Sequence, residues 1–107
     1  MEALEEISRI TVSRTLPQDL GHRKIVLYVD GSRVGSLANG EALTHELPPG
    51  SHTVKVHNTL YGKSAAFSVA QGEQVRFEIA NVSGPGTFLG LLLGGGPMYL
   101  VLRRVIS

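Results

Sequence analysis

Between Ile25 and Val56 the chain keeps one rhythm: short runs of alternating apolar residues separated by tight-turn dipeptides. Ile25, Leu27 and Val29 alternate, then Leu43 and Leu47, then Val54 and Val56. Asp30-Gly31, Asn39-Gly40 and Pro48-Pro49-Gly50 punctuate them. A period of two places every second side chain on one face, and Asn-Gly or Asp-Gly accepts the positive φ angles of hairpin turns. The pattern leaves no room for long helices and predicts an antiparallel, all-β body.

The same reading extends outward. Ser8–Arg14 sets Ile10 and Val12 against Arg9, Thr11 and Ser13, as in a half-buried strand. Leu16–Gly21 reads as a loop, with Pro17 keeping Leu16 extended. Arg23–Asp30 is apolar on both sides, which suits a central strand. Gly35 interrupts Arg33–Leu37 and marks a bulge or a close backbone approach. Glu41–Leu47 and His52–His57 are expected to pair across Pro48–Ser51, with Leu47 opposite His52, His45 opposite Val54 and Leu43 opposite Val56. Ser64–Val69 and Gln74–Ala80, with Ala65, Phe67, Val69, Val75, Phe77 and Ile79 inward, form another expected hairpin about Gln71-Gly72-Glu73. Met98–Ile106 completes an expected set of seven or eight strands, a β-sandwich of immunoglobulin or transthyretin-like type. The expected organisation is one domain over 1–107, with a tail at 1–6, an apolar Gly-rich connection at 84–97 and a closing strand at 98–106. No internal repeat stands out.

Composition narrows the function classes. The chain has no cysteine, which excludes disulfides, thiol catalysis and thiolate metal sites. Ten basic and nine acidic residues are spread along it, without the basic cluster of a nucleic-acid binder. Three Tyr, three Phe and no Trp offer little base-stacking surface. The acidic start, Met1–Glu6, is unlike a secretory signal, so the expected location is the cytoplasm or the cytoplasmic face of a membrane.

Val29-Asp30-Gly31-Ser32-Arg33-Val34-Gly35, followed by Leu47-Pro48-Pro49-Gly50-Ser51-His52-Thr53-Val54-Lys55-Val56, resembles the PEGA-type modules of bacterial envelope and uncharacterised proteins. Those modules are related in shape to carboxypeptidase regulatory-like and transthyretin-like β-sandwiches. The resemblance covers roughly residues 24–80 and implies a non-catalytic sandwich with no family-wide ligand. It does not account for the C-terminal segment.

Candidate chemistry is sparse. In the expected hairpin His45 and His52 share a face, but zinc needs three or four ligands and Glu46 points away. The simpler expectation is that His52 donates to a turn carbonyl and packs beside Leu47. Gly84–Gly90 has the glycine spacing of a dinucleotide loop, without the βαβ context or the later acidic residue. Ser32 and Ser83 lack the strand–turn–helix elbow of an activated serine. Asp19, Asp30, Glu41, Glu46, Glu73 and Glu78 are assigned mostly to turns and solvent faces, with Asp30 bonding its own turn's amides. Asn81-Val82-Ser83 is a chance sequon on this reading. No cofactor, no metal and no catalytic residue is expected.

From Ile79 to Leu102 the chain carries no charge. Thr87–Leu102 is shorter than the ~20 residues of a spanning helix and is broken by glycines and Pro97. Phe88, Leu89, Leu91, Leu92, Leu93 and Met98 therefore form the candidate interaction patch. The first functional expectation is a protein-interaction or self-association module, binding an unknown protein partner or itself. The second is a domain that contacts a membrane peripherally through the same segment. A small hydrolase comes third, and neither nucleic acid nor a small-molecule ligand is expected.

Overall fold

A computed structural model describes residues 7–17, 19–21, 23–58, 61–82 and 99–105. Among these residues the protein is all-β, with eight strands: β1 (Ser8–Ser13), β2 (Ile25–Val29), β3 (Ser32–Leu37), β4 (Ala42–Leu47), β5 (Gly50–His57), β6 (Gly62–Val69), β7 (Gln74–Val82) and β8 (Tyr99–Val105). They form two four-stranded sheets, β4-β1-β7-β8 (sheet A) and β3-β2-β5-β6 (sheet B).

Period-two burial explains why these segments are strands. Ile10 and Val12 are buried while Arg9, Thr11 and Ser13 are only partly so; β5, β6 and β7 alternate in the same manner. The inward faces of both sheets build one core. Sheet A contributes Ile10, Val12, Val75, Phe77 and Ile79; sheet B contributes Ile25, Leu27, Val54, Val56 and Phe67. Phe67 meets Phe77 edge-on across the interior, with ring centroids 5.6 Å apart. Each such side chain contributes about 1.5–3 kcal/mol on leaving water. As expected, β2 is central, and Ala65, Phe67, Val69, Val75, Phe77 and Ile79 belong to or pack against the core.

Three of the expected hairpins are instead crossings between sheets. β4 pairs with β1, setting Leu47 opposite Ser8 and His45 opposite Ile10, whereas β5 pairs with β2 and β6. The expected pairing of Leu47 with His52, His45 with Val54 and Leu43 with Val56 does not occur. Likewise β3 and β4 lie in different sheets, as do β6 and β7. The physical reason is that alternation records which face is buried and not which strand lies alongside. A hairpin and an arch both turn Leu43, Leu47, Val54 and Val56 toward one interior.

The sheets are not wholly antiparallel either. β1 runs parallel to β7, Ile10 opposite Val75 and Val12 opposite Phe77. A parallel pair needs a long connection, here the whole β2–β6 path. The consecutive strands that pair antiparallel within a sheet are β2–β3, β5–β6 and β7–β8. Asp30 and Gly31, with φ of 51° and 84°, make the two-residue β2–β3 turn, whose paired positive φ angles match the strand twist.

Two crossings use one device. In Ala38-Asn39-Gly40-Glu41 and Ala70-Gln71-Gly72-Glu73 the Glu amide donates to the Ala carbonyl, at 3.1 and 3.0 Å. In each, the Glu carboxylate accepts from the Ala amide, at 2.7 and 2.8 Å. Both glycines have positive φ, 90° and 77°. The two turns share the spelling Ala-x-Gly-Glu. β1 ties to both: the Arg14 amide donates to the Glu41 carbonyl at 2.8 Å, and the Arg9 amide to the Glu73 carbonyl at 3.0 Å.

Gly35 fulfils both parts of its expectation. Leu27 faces Gly35 while Tyr28 faces Arg33, leaving Val34 as the extra residue of a bulge. A Cβ at Gly35 would lie 2.6 Å from Leu43 Cδ1, so its bare backbone is where β3 admits a side chain from β4.

Candidate functional site on the outer face of sheet B

Each end of the two-sheet body has its own polar fastening. At the end where β1 and β7 finish, Arg14 is fully buried. Its Nε and Nη2 donate to the Asp19 carboxylate at 2.7 and 3.2 Å, and Nη1 donates to the carbonyls of Arg23 and Leu37, both at 2.8 Å. Buried Asn81 donates to the same Arg23 carbonyl at 3.3 Å and accepts from buried Asn58 at 2.8 Å. Asn58 in turn closes the β5–β6 loop by accepting the Tyr61 amide at 2.8 Å. A buried charge is tolerated only when paired and bonded, and the planar guanidinium supplies a fork that fits a carboxylate. Asp19 lies in the expected loop, but its carboxylate is buried against Arg14, and Arg14 is a functional side chain of the fold that alternation had placed simply at a strand end. The Asn81 amide is committed inside the fold, in keeping with the sequon as a chance match.

At the opposite end stands His52. Its Nδ1 lies 2.6 Å from Asp30 Oδ2 and its Nε2 lies 2.7 Å from the Pro48 carbonyl. Both partners are acceptors, so satisfying both requires two N–H groups and hence an imidazolium. The ring lies against Phe67, centroids 5.7 Å apart. Asp30 Oδ1 also accepts the Thr53 amide at 2.9 Å, and the Asp30 amide donates to the Thr53 carbonyl at 2.8 Å. The bond from His52, then that from Thr53, holds the Asp30 carboxyl below its ordinary value, against a smaller opposing effect of burial. The bond to Asp30, then that to Pro48, raises His52 above its ordinary value. The expected turn carbonyl is thus found and the ring also meets Phe67, while the Asp30 carboxylate bonds the Thr53 amide of β5 and not, as expected, the amides of its own turn.

This pair resembles the base and orienting acid of a catalytic triad, yet it cannot work as one in this arrangement. The nitrogen that would accept a nucleophile's proton already donates to Pro48. His45 is on β4 in sheet A, so the two histidines do not share a hairpin. Among the described residues no three His, Cys, Asp or Glu side chains gather as metal ligands do. Phe88, Leu89, Leu91, Leu92, Leu93 and Met98, with Ser83 and the Gly84–Gly90 motif, lie outside the described residues.

Asp30 and Thr53 also position a surface feature that alternation alone did not reveal. Across the outer face of sheet B runs the row Tyr28, Lys55, Ser64, one residue from each of β2, β5 and β6. With Gly31, Thr53 and His57 these residues line an open hollow of about 560 Å³. It forms because Gly31, Ser64 and Gly62 are small beside Tyr28 and His57. A Cβ at Gly62 would come within 3.1 Å of the His57 ring and 3.7 Å of Lys55 Cε, so both side chains lie across β6 at that point.

The outer face of sheet A differs. Thr11 and Thr44 share a 2.9 Å hydrogen bond, and Gln74 donates to Thr11 at 2.7 Å. Two ion pairs form there, Arg9 with Glu46 at 3.8 Å and Arg103 with Glu78 at 2.6 Å, while Arg76 reaches only the Gln74 side-chain carbonyl at 3.5 Å. Lys55 on sheet B has no carboxylate within ion-pair reach among the described residues.

Comparison with family models, with curated proteins and with solved structures finds no match. No helix among the described residues is long and apolar enough to cross a membrane.

Proposed function

We propose that the protein is a β-sandwich of the PEGA or transthyretin-like kind that works as a non-catalytic interaction module, engaging a protein partner or a second copy through the outer face of sheet B. The observation that carries this reading is the inequality of the two faces. Sheet A pairs Arg9 with Glu46 and Arg103 with Glu78 and sets Arg76 beside Gln74, whereas sheet B presents a hollow around Lys55, which has no carboxylate within ion-pair reach among the described residues. The Val29–Gly35 and Leu47–Val56 segments that carry the PEGA resemblance fold into the scaffold of that hollow, with Asp30, His52 and Thr53 fixing one end.

A photo-crosslinking residue at Ala66, on sheet B, and another at Thr44, on sheet A, test the reading. Adducts from position 66 only, whether with the purified protein itself or with one reproducible partner, support it. Equal yields from both positions, or none, overturn it. Flotation with vesicles separates it from the alternative of lipid contact through Phe88–Leu93, because a membrane-bound chain rises with lipid and Leu91→Glu/Leu93→Glu abolishes the effect.

A further inference from the structure

We infer that the hollow on sheet B is an oxyanion subsite, with Lys55 supplying the charge and Tyr28, Thr53, Ser64 and His57 the surrounding polar contacts. This deepens the reading above, on which it rests, by naming the chemistry that the face recognises: a carboxylate or phosphoryl group.

The lining chemistry carries the inference. A Lys ammonium has three donors and no acceptor, and the Tyr, Thr and Ser hydroxyls can each turn a hydrogen toward a guest. Among the described residues no carboxylate lines the hollow to compete with an arriving anion. A cation or an amine would meet Lys55 with repulsion and no opposing charge. At about 560 Å³ the space lies within the range of sites that hold small molecules or a bulky side chain. Charge-assisted bonds are shorter and stronger than neutral ones, which favours an ionised guest over a neutral one.

The site is also built. Lys55 sits between Tyr28 and Ser64 in fixed register. Gly62 lets the Lys55 stem and the His57 ring lie over β6 without obstruction. Thr53 is held by the paired backbone and side-chain bonds of Asp30, the residue before Gly31. A free anion and an acidic side chain of a partner share this chemistry, and the experiment distinguishes them.

The test is amide chemical-shift titration of the labelled protein with inorganic phosphate, with acetate and with a short oligoglutamate peptide. Saturable shifts at Gly31, Thr53, Lys55, His57 and Ser64 are expected. Lys55→Met should weaken them by about tenfold or more, and Lys63→Met should leave them unchanged. Stronger binding of phosphate identifies a free phosphoryl group as the guest; stronger binding of the peptide, an acidic side chain. Absence of saturable shifts, or shifts insensitive to Lys55→Met, overturns the subsite. Because crosslinking at Ala66 depends on the face and not on the anion, its outcome shows separately whether the interaction reading survives.

Discussion

His52 Nδ1 and Asp30 Oδ2 stand 2.6 Å apart, joining the start of β5 to the turn between β2 and β3. The other ring nitrogen donates to Pro48, in the crossing from sheet A to sheet B. One imidazolium therefore fastens two turns at the same end of the molecule, and its charge state sets how firmly.

The sign of the pH dependence follows. His52 is raised above 6.5, so its contribution is complete below that value and fades as pH climbs through the folded-state pKa. Asp30 is lowered below 3.8, so its contribution is present above that value and is lost as pH falls through the folded-state pKa. The pair should stabilise most between 3.8 and 6.5. Thermal unfolding of the parent and of Asp30→Asn should differ most in that window and converge as pH rises past neutrality. Asp30 is half exposed, so the difference should be modest, about 1 kcal/mol. A constant difference from pH 5 to 9 would remove the clamp from consideration.

Arg14 and Asp19 are expected to matter more. Removing one member of a buried pair strands the other's charge, at a cost of about 3–5 kcal/mol. Arg14→Met and Asp19→Leu should each lower the urea midpoint severely, and Arg14→Lys should recover little, since an ammonium cannot reproduce the fork. The paired replacement Arg14→Met/Asp19→Leu should be milder than the sum of the two. Strict additivity in that cycle would mean that the pair is not coupled.

Gly35 and Leu43 should also be coupled. Gly35→Ala brings a methyl group against Leu43 Cδ1 and should cost about 1–3 kcal/mol. In a Leu43→Ala background, where that atom is gone, the same change should cost distinctly less. A denaturation cycle on the four proteins measures the difference.

The two Ala-x-Gly-Glu turns invite a matched comparison. Glu41→Ala and Glu73→Ala each delete the carboxylate that accepts the Ala amide, and each should cost about 0.5–1.5 kcal/mol. Similar losses in chemical denaturation are expected; a neutral effect at either site would deny that turn its structural role.

Much of this architecture could be read from residue patterns. Ile10 and Val12, Leu27 and Val29, or Val54 and Val56 declare a strand and its buried side wherever they fall. Asp30-Gly31 declares a hairpin because both residues tolerate positive φ. Neighbourhood is another matter. Gly40 adopts positive φ at a sheet crossing as readily as at a hairpin, and Leu47 is equally buried beside Ser8 or beside His52. Alternation also hides polar residues that fold inward at strand ends: Arg14, Asn58 and Asn81 look like ordinary boundary residues until both sheets are assembled around them. The shared Ala-x-Gly-Glu spelling was a signal that could have been found in the sequence, because a repeated turn with a capping carboxylate implies a repeated local geometry. The Lys55 hollow had no such signal, since it depends on β2, β5 and β6 lying side by side.

Because β1 lies between β4 and β7 and bonds to both crossings, its loss would open a slot some 9–10 Å wide in sheet A, twice the spacing of adjacent strands. The slot would be flanked by one antiparallel and one parallel neighbour, so only a strand entering in the original direction could refill it. The segment Ser8–Ser13 thus acts as a keystone, and a peptide of that sequence is the natural candidate to restore a chain from which it had been cut.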